Sequence, residues 1–309
     1  MFAIPISQID PKQLSELGSK AASLVRLRAA KAEVPEAFVL MDAARQAFFA
    51  ANQLGPVIES ELSRLQVEEL HSIDYASRVL REAIVGGTFS AELETELLQQ
   101  YAHTNAVHAC VRSSAFASTG FPDAWSAELH TEINVTVDNL LQVVKQCWAS
   151  CFSARSLYLA ASHRISAASV KHHLVVQRMI PAQAAGLLYT SHPVHRDPNL
   201  LVIEAGLGLG EAIEHGHVVP DTYTLTKKPL DILEKHVVEQ ASRLVAAEQG
   251  TTVEAMQPVR EQKLSDKEIL DLAKQALRLE KAFNAPLCLE WAWDDKPYFL
   301  QAREMSLGA

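Results

Sequence analysis

Near the end of the 309-residue chain, LCLEWAW (287–293) and YFLQAR (298–303) flank the turn sequence Asp294-Asp295-Lys296-Pro297. Taken as a four-residue loop, that turn pairs Trp293 with Tyr298, and counting back along both strands sets Glu290 opposite Gln301. Directly opposed residues have Cβ atoms only about 5 Å apart. Arg303 shares the face of Gln301, because side chains alternate along a strand. One face therefore offers a carboxylate, an amide oxygen and a guanidinium. Hard oxygens suit Mg²⁺, which takes few protein ligands and completes its shell with water and phosphate, so Glu290 and Gln301 are candidate metal ligands. The planar fork of Arg303 suits phosphate. The same spacing also describes an ordinary hairpin whose Glu and Arg pair in solvent.

Three other segments could meet a nucleotide. Lys20 follows Gly18-Ser19 at the start of a helix expected over 17–30, with Ser19 placed to cap it. Backbone N–H groups point outward there, so Lys20 could meet an anion, or it is a solvated surface lysine. Arg112 closes an apolar strand, AVHACVRS (106–113), before a loop of small residues up to Ala127. It suits phosphate at a cleft, or a structural ion pair. Gln177-Arg178-Met179-Ile180 ends another strand and could offer backbone groups to a flat base with Met179 packed on it, or be plain core.

Other patterns exclude more than they suggest. Gly206, Gly208 and Gly210 follow a strand, but G-x-G-x-x-G needs its third glycine elsewhere, and G-x-x-x-x-G-K-[ST] is absent. These glycines read as a tight turn with close backbone approach, and Glu211 begins the next helix. Cys147 and Cys151 could hold zinc by spacing, but they share an apolar face with Leu140, Val144 and Trp148, which favours core packing. Thr190-Ser191-His192 imitates a phosphocarrier histidine without the glycines and small-residue helix start one needs. His192 and His195 are set aside with it.

The elements needed to hold these residues are mixed α/β. Short strands are expected at 37–41, 106–113, 174–180, 186–191, 200–205 and 222–226. Helical patterns run over 42–104 with a break at Gly86-Gly87, over 137–160, and as a polar stretch up to Gly250. Ser265 and Glu268 form a capping box for a further helix. The length suggests two domains or one two-lobed unit. Lys+Arg 28 against Asp+Glu 37 gives a net charge of −9, which argues against general nucleic-acid binding while leaving room for a local cationic pocket. No apolar run approaches the roughly 20 residues of a membrane span, Met1–Pro11 lacks a signal-peptide pattern, and four cysteines are too few for a disulfide scaffold. A cytoplasmic protein is expected.

Read in order, LGSKAASLVRLRAAKAEVPEAFVL (17–40), VRSSA (111–115), PDAW (122–125), INV (133–135), CWASCF (147–152), VVQRMI (175–180), GLGEAIEHGHVVPDTY (208–223) and LEWAW…FLQAR resemble one domain. It is the nucleotide-binding domain of the phosphoenolpyruvate synthase, pyruvate phosphate dikinase and rifampicin phosphotransferase family. The resemblance implies a two-lobed ATP-grasp fold clamping ATP with Mg²⁺, here with lobes at 1–185 and 186–309. It implies that Lys20 and Arg112 hold phosphates, that Gln177 and Met179 line the adenine pocket, and that Thr131 lies near the nucleotide. Glu290, Gln301 and Arg303 would bind metal and phosphates, and Glu211, in the matching glycine segment, is counted with the residues that would bind the cofactor.

Three departures accompany the match. Ser118-Thr119 stands where the family usually has an acidic pair, and L-G-G-K has become L-G-S-K. The family continues into a swivelling histidine domain and an acceptor domain, so the expected partner is a separate phosphohistidine carrier or a small-molecule acceptor. The reading is an ATP-dependent phosphotransferase component. A catalytically weakened nucleotide-binding module and an ATP-grasp ligase forming an acyl phosphate are the alternatives.

Overall fold

The computed structural model describes residues 1–12, 14–116, 129–248 and 250–305. The PDAW motif and the Ser118-Thr119 departure lie outside them. By internal contacts the chain divides into two compact units, 1–22 with 36–179 and 23–35 with 180–309.

The first unit contains β1 (Ala3–Pro5), the start of α1 (Gly18–Ala29), β2 (Ala37–Leu40), α2 (Asp42–Ala51), α3 (Leu54–Ser63), α4 (Leu70–Gly86) and α5 (Ala91–His103). It continues with β3 (Ala109–Phe116), β4 (Thr131–Val135), α6 (Leu140–Ser150), α7 (Ala154–Ser162) and β5 (Lys171–Arg178). The strands form an antiparallel sheet in the order β1-β2-β5-β3-β4. One face of this sheet, through Phe38, Leu40, Ala109, Val111, Leu174 and Val176, packs into the same core as the helices. Cys147 and Cys151 lie in that core, as their helical spacing requires. The helical pattern over 137–160 is two helices, because Ser153 stops one and caps the next by accepting from Ser156 N at 3.1 Å.

A buried polar cluster pins α2 to β5. Asp42 accepts from Arg45 Nε (2.7 Å), from Gln46 Nε2 (2.6 Å) and from the His172 backbone N–H (2.9 Å), while Cys151 Sγ lies 3.0 Å from His172 Nδ1. Burial pushes the Asp42 carboxyl up, but the charge and hydrogen bond of Arg45 and the further bonds outweigh it and hold the group below its ordinary range. Burial and the neighbouring Arg45 push His172 down to about 3.

The second unit contains β6 (Ala184–Tyr189), β7 (Leu200–Leu207), α8 (Glu211–Glu214), β8 (Asp221–Lys227), β9 (Leu230–His236), β10 (Gln240–Ala246) and β11 (Thr251–Val259). It closes with α9 (Asp266–Phe283), β12 (Leu287–Trp293) and β13 (Pro297–Glu304). Six strands pair in the order β13-β12-β6-β7-β8-β9, and β10-β11 make a separate ladder. The polar stretch expected to be helical up to Gly250 is instead β9 and β10. Leu230 and Ile232 alternate with more exposed neighbours, and β8 supplies a partner; sheet pairing of this kind overrides a weak helical period. The capping box of α9 is present: Ser265 Oγ accepts from Glu268 N, and Ser265 N donates to Glu268 Oε2 at 2.7 Å.

Asp221 and Tyr223 of the PDTY segment fasten this unit internally. Asp221 Oδ1 meets Lys263 Nζ at 3.0 Å with both side chains essentially buried, and Tyr223 OH donates to Asp221 Oδ2 at 2.7 Å. Asp221 also accepts from the backbone N–H groups of Val238 and Lys263, each at 2.9 Å. Residues 23–35 join the same unit through β13: Ala302 N donates to Ser23 Oγ (2.6 Å), Phe299 N to the Glu33 carbonyl (2.8 Å), and Arg26 pairs with Glu304 (2.6 Å). Among the described residues no helix is long and apolar enough to cross a membrane.

Candidate functional site

Each unit presents one group of the expected residues on one sheet face. In the first, the odd-numbered residues Ala109, Val111 and Ala115 of β3 enter the helical core. Cys110, Arg112 and Ser114 therefore leave on the opposite face. By the same alternation His173, Val175 and Gln177 of β5 share that face, since Leu174 and Val176 are core. Arg112 is directly opposite Val175 on one side and Thr131 on the other, and Gln177 is opposite Cys110. Arg112, Thr131 and Gln177 thus converge across three neighbouring strands. Arg112 sits inside β3, which runs on to Phe116, so it does not close the strand as expected.

Gln177 is 3% exposed, and its Nε2 has no hydrogen-bond partner among the described residues. A buried amide donor of this kind costs free energy unless something accepts from it, which fits a base edge. The backbone donors at this strand end are already engaged. Arg178 N donates to the Glu36 carbonyl (2.8 Å) and Met179 N to the His108 carbonyl (2.9 Å). These two N–H groups are spent within the first unit, so a backbone group that this segment lends to a base would have to be another one; Met179 itself is half-buried.

Lys20 stands in the first turn of α1, but Ser19 does not cap it. The helix begins at Gly18, whose φ is +72°. Its start is secured by Ser114 of β3, whose Oγ accepts from Ala21 N (3.1 Å) and donates to the Leu17 carbonyl (2.8 Å). A Cβ on Gly18 would come within 2.7 Å of Ser114 O, so only glycine lets the helix start this close to the strand. Lys20 is thereby anchored two positions along β3 from Arg112. Sequence reasoning missed Ser114, although it is the second serine of the V-R-S-S segment.

In the second unit Glu290 is opposite Gln301, as the counting predicted, although the turn is one residue shorter. Trp293 pairs with Pro297 rather than Tyr298, and a bulge between Glu290 and Trp291 restores the register. Leu300 is the extra residue of that bulge. Leu287, Leu289 and Trp291 are buried on one face, so Glu290 and Cys288 lie on the other with Gln301 and Arg303. Arg303 Nη2 meets Glu290 Oε1 at 3.1 Å; the Glu290 side chain is 16% exposed and that of Arg303 56%. The Glu–Arg pair exists, but its carboxylate is not a solvated one.

The register through β6 also sets Glu204 of β7 on this face, one strand beyond Leu187, the β6 partner of Glu290. Burial pushes the Glu204 carboxyl up. Burial first, then the charge of Glu290, pushes the Cys288 thiol up to about 12. Burial and the Glu204 charge raise Tyr189 as well. The face is thus acidic and poorly hydrated, a property no spacing rule reveals.

Glu211 begins α8 after the glycine turn, its Oε1 3.8 Å from His215 Nδ1, and no strand register joins it to the hairpin. The glycines do permit close approach. Gly208 has φ +90°, and a Cβ there would lie 2.6 Å from the Leu244 carbonyl.

Among the described residues no group of three or more His, Cys, Asp or Glu side chains gathers to hold a metal. The donors at hand are the opposed carboxylate and amide oxygen of Glu290 and Gln301, a set that fits a hard cation sharing its shell with phosphate and water.

The stretch that holds these residues matches known proteins. The family model for the pyruvate phosphate dikinase AMP/ATP-binding domain matches residues 14–308. A probable phosphoenolpyruvate synthase of Methanocaldococcus jannaschii is 32% identical over 316 residues, covering 99% of this chain and 27% of the relative. A second, of Methanothermobacter thermautotrophicus, is 31% identical over 94% of this chain and 44% of its own length. The rifampicin phosphotransferase of Bacillus subtilis is 29% identical over 99% of this chain and 36% of its own. The chain therefore spans less than half the length of each of these relatives. With the mixed α/β architecture and a family match over nearly its whole length, the chain belongs to the pyruvate phosphate dikinase AMP/ATP-binding domain family, whose fold is ATP-grasp-like.

Proposed function

We propose that this chain binds Mg·ATP and passes a phosphoryl or pyrophosphoryl group to a histidine on a separate carrier protein or to a small-molecule acceptor. The observation that carries the reading is the convergence, in each unit, of cation or metal-ligand chemistry on one sheet face. Arg112 and Thr131 face one another beside the orphan donor of Gln177, and Glu290 faces Gln301 beside Arg303. Lys20 and Arg112 would hold phosphate oxygens and Gln177 the base edge, with Met179 against its ring. Glu290 and Gln301 would hold Mg²⁺, and Arg303 would leave Glu290 for phosphate. When bound, the metal supplies neutralisation of phosphate charge. The protein groups contribute position and further neutralisation, which is most of what phosphoryl transfer asks of a protein.

Calorimetric titration of Mg·ATP into the chain tests this, with Arg112→Ala and Glu290→Ala alongside. Binding weakened by both substitutions supports the site, and AMP or ADP formation with candidate carriers then identifies the product. Absence of binding by the unaltered chain would sink the reading. Tight binding with no product in the presence of a carrier would favour a nucleotide-binding module.

A further inference from the structure

Thr131 opens β4, a strand of five residues at the sheet edge, and β4 pairs with β3 through a bulge between Ala109 and Val111. So short and irregular a ladder specifies its register weakly, and a slip of one residue would turn Thr131 away from Arg112. Something else must secure the strand where it begins.

The residue before it is bracketed on every side. Ser113 Oγ donates to the His130 carbonyl at 2.8 Å. His130 N donates to Ser150 Oγ at 3.2 Å, and Ser150 Oγ donates to the Cys147 carbonyl at 2.6 Å, which ties β4 to α6. The His130 ring then reaches over Thr131, its Nε2 2.8 Å from Glu132 Oε2. A carboxylate can only accept, so Nε2 carries the proton. Residues 130 and 132 leave the strand on the side opposite Thr131, so the ring has no place beside Arg112. Any effect it has on the site must pass through Thr131.

We infer that His130 is a positioning residue: its clamp to Glu132, with the serine bracket on its backbone, holds Thr131 in register with Arg112. The inference rests on the proposed role of Thr131 and Arg112 in binding Mg·ATP.

The test is a double-mutant cycle on Mg·ATP affinity with Thr131→Ala, His130→Ala and the pair, each checked for folding by urea denaturation. His130→Ala should weaken Mg·ATP about tenfold, the loss expected for a hydrogen bond to a charged group. His130→Gln, which sets an amide donor where Nε2 was, should restore most of the affinity. The double variant should bind within about twofold of Thr131→Ala alone, because one residue acts through the other. Should His130→Ala fail to fold, Glu132→Ala, which removes the acceptor of the clamp, enters the same cycle with the same expectation. Affinity unchanged by loss of the clamp, or losses that multiply in the double variant, would overturn the inference while leaving the Mg·ATP reading intact. No Mg·ATP binding by the unaltered chain, or none of it sensitive to Thr131→Ala, would overturn the clamp together with the role of Thr131 on which it rests.

Discussion

At the scale of single residues, the hairpin makes the sharpest demand. Gln301 is 3% exposed and directly opposite Glu290, so its amide has little freedom to be replaced. Glu290→Ala is expected to abolish turnover and to remove the Mg²⁺ dependence of ATP binding, read by titration with and without EDTA. Arg303→Lys keeps the charge but loses the planar fork. It should bind Mg·ATP more weakly than the unaltered chain, and equal affinity would argue that Arg303 serves only as the partner of Glu290. Cys288, between Leu287 and Leu289 on the face of Glu290 and Gln301, is held as a neutral thiol, so the acidity of that face comes from Glu290 and Glu204.

At the scale of elements, the start of α1 separates a local from a distant cap. Ser114→Ala removes one hydroxyl that serves both Ala21 N and the Leu17 carbonyl, and should cost about 1–2 kcal/mol in urea denaturation. Ser19→Ala, at the position that looks like the cap, should change stability by less than about 0.5 kcal/mol. In the second unit, Lys263→Met leaves Asp221 buried without its cation, and a loss of about 3–5 kcal/mol is expected. That network explains the acid and the tyrosine of the PDTY segment by the ordering of β8 against the chain at 238 and 263. Adding Asp221→Leu to Lys263→Met should not restore the lost stability, because it also strips Tyr223 OH and the backbone N–H groups of Val238 and Lys263 of their acceptor.

At the scale of the whole molecule, acid should unfold the first unit through its buried cluster. An unfolded histidine takes its proton near pH 6.5, whereas buried His172, facing Arg45, Asp42, His173 and Cys151, refuses it until about 3. Throughout that window the unfolded chain holds more protons, so stability falls as pH drops. His172 alone should remove about 2 kcal/mol between pH 7 and pH 5, and His172→Gln should flatten that slope in urea titrations at pH 7, 6 and 5. Asp42 acts in the same direction at lower pH. Its folded value lies below the ordinary 3.8, so its contribution is present above that value and lost as pH falls through it. A ligand of the native state shifts the same curves upward: Mg·ATP at a hundred times its Kd should add about 2.7 kcal/mol.

How far these features can be read without coordinates depends on the range over which each is determined. The α9 capping box, the core face of Cys147 and Cys151 and the break at Gly86 follow from residues within a turn or two of each other, where backbone geometry leaves few choices. The order of motifs from Leu17 to Arg303 identified the family, since so many matches in sequence leave little room for coincidence. The Glu290–Gln301 pairing came out right although the turn is shorter, because the bulge at Leu300 made up the missing residue. Tertiary structure alone decided the rest. Ser114 caps a helix 93 residues away, β9 and β10 are strands because β8 and β11 offer partners, and Glu204 joins the face of Glu290 and Gln301 only through the pairing of β6 with β7. In each case the deciding partner belongs to another element, whether 93 residues away or across a hairpin turn, and a pattern within one element carries no information about which group outside it will supply the missing hydrogen bond.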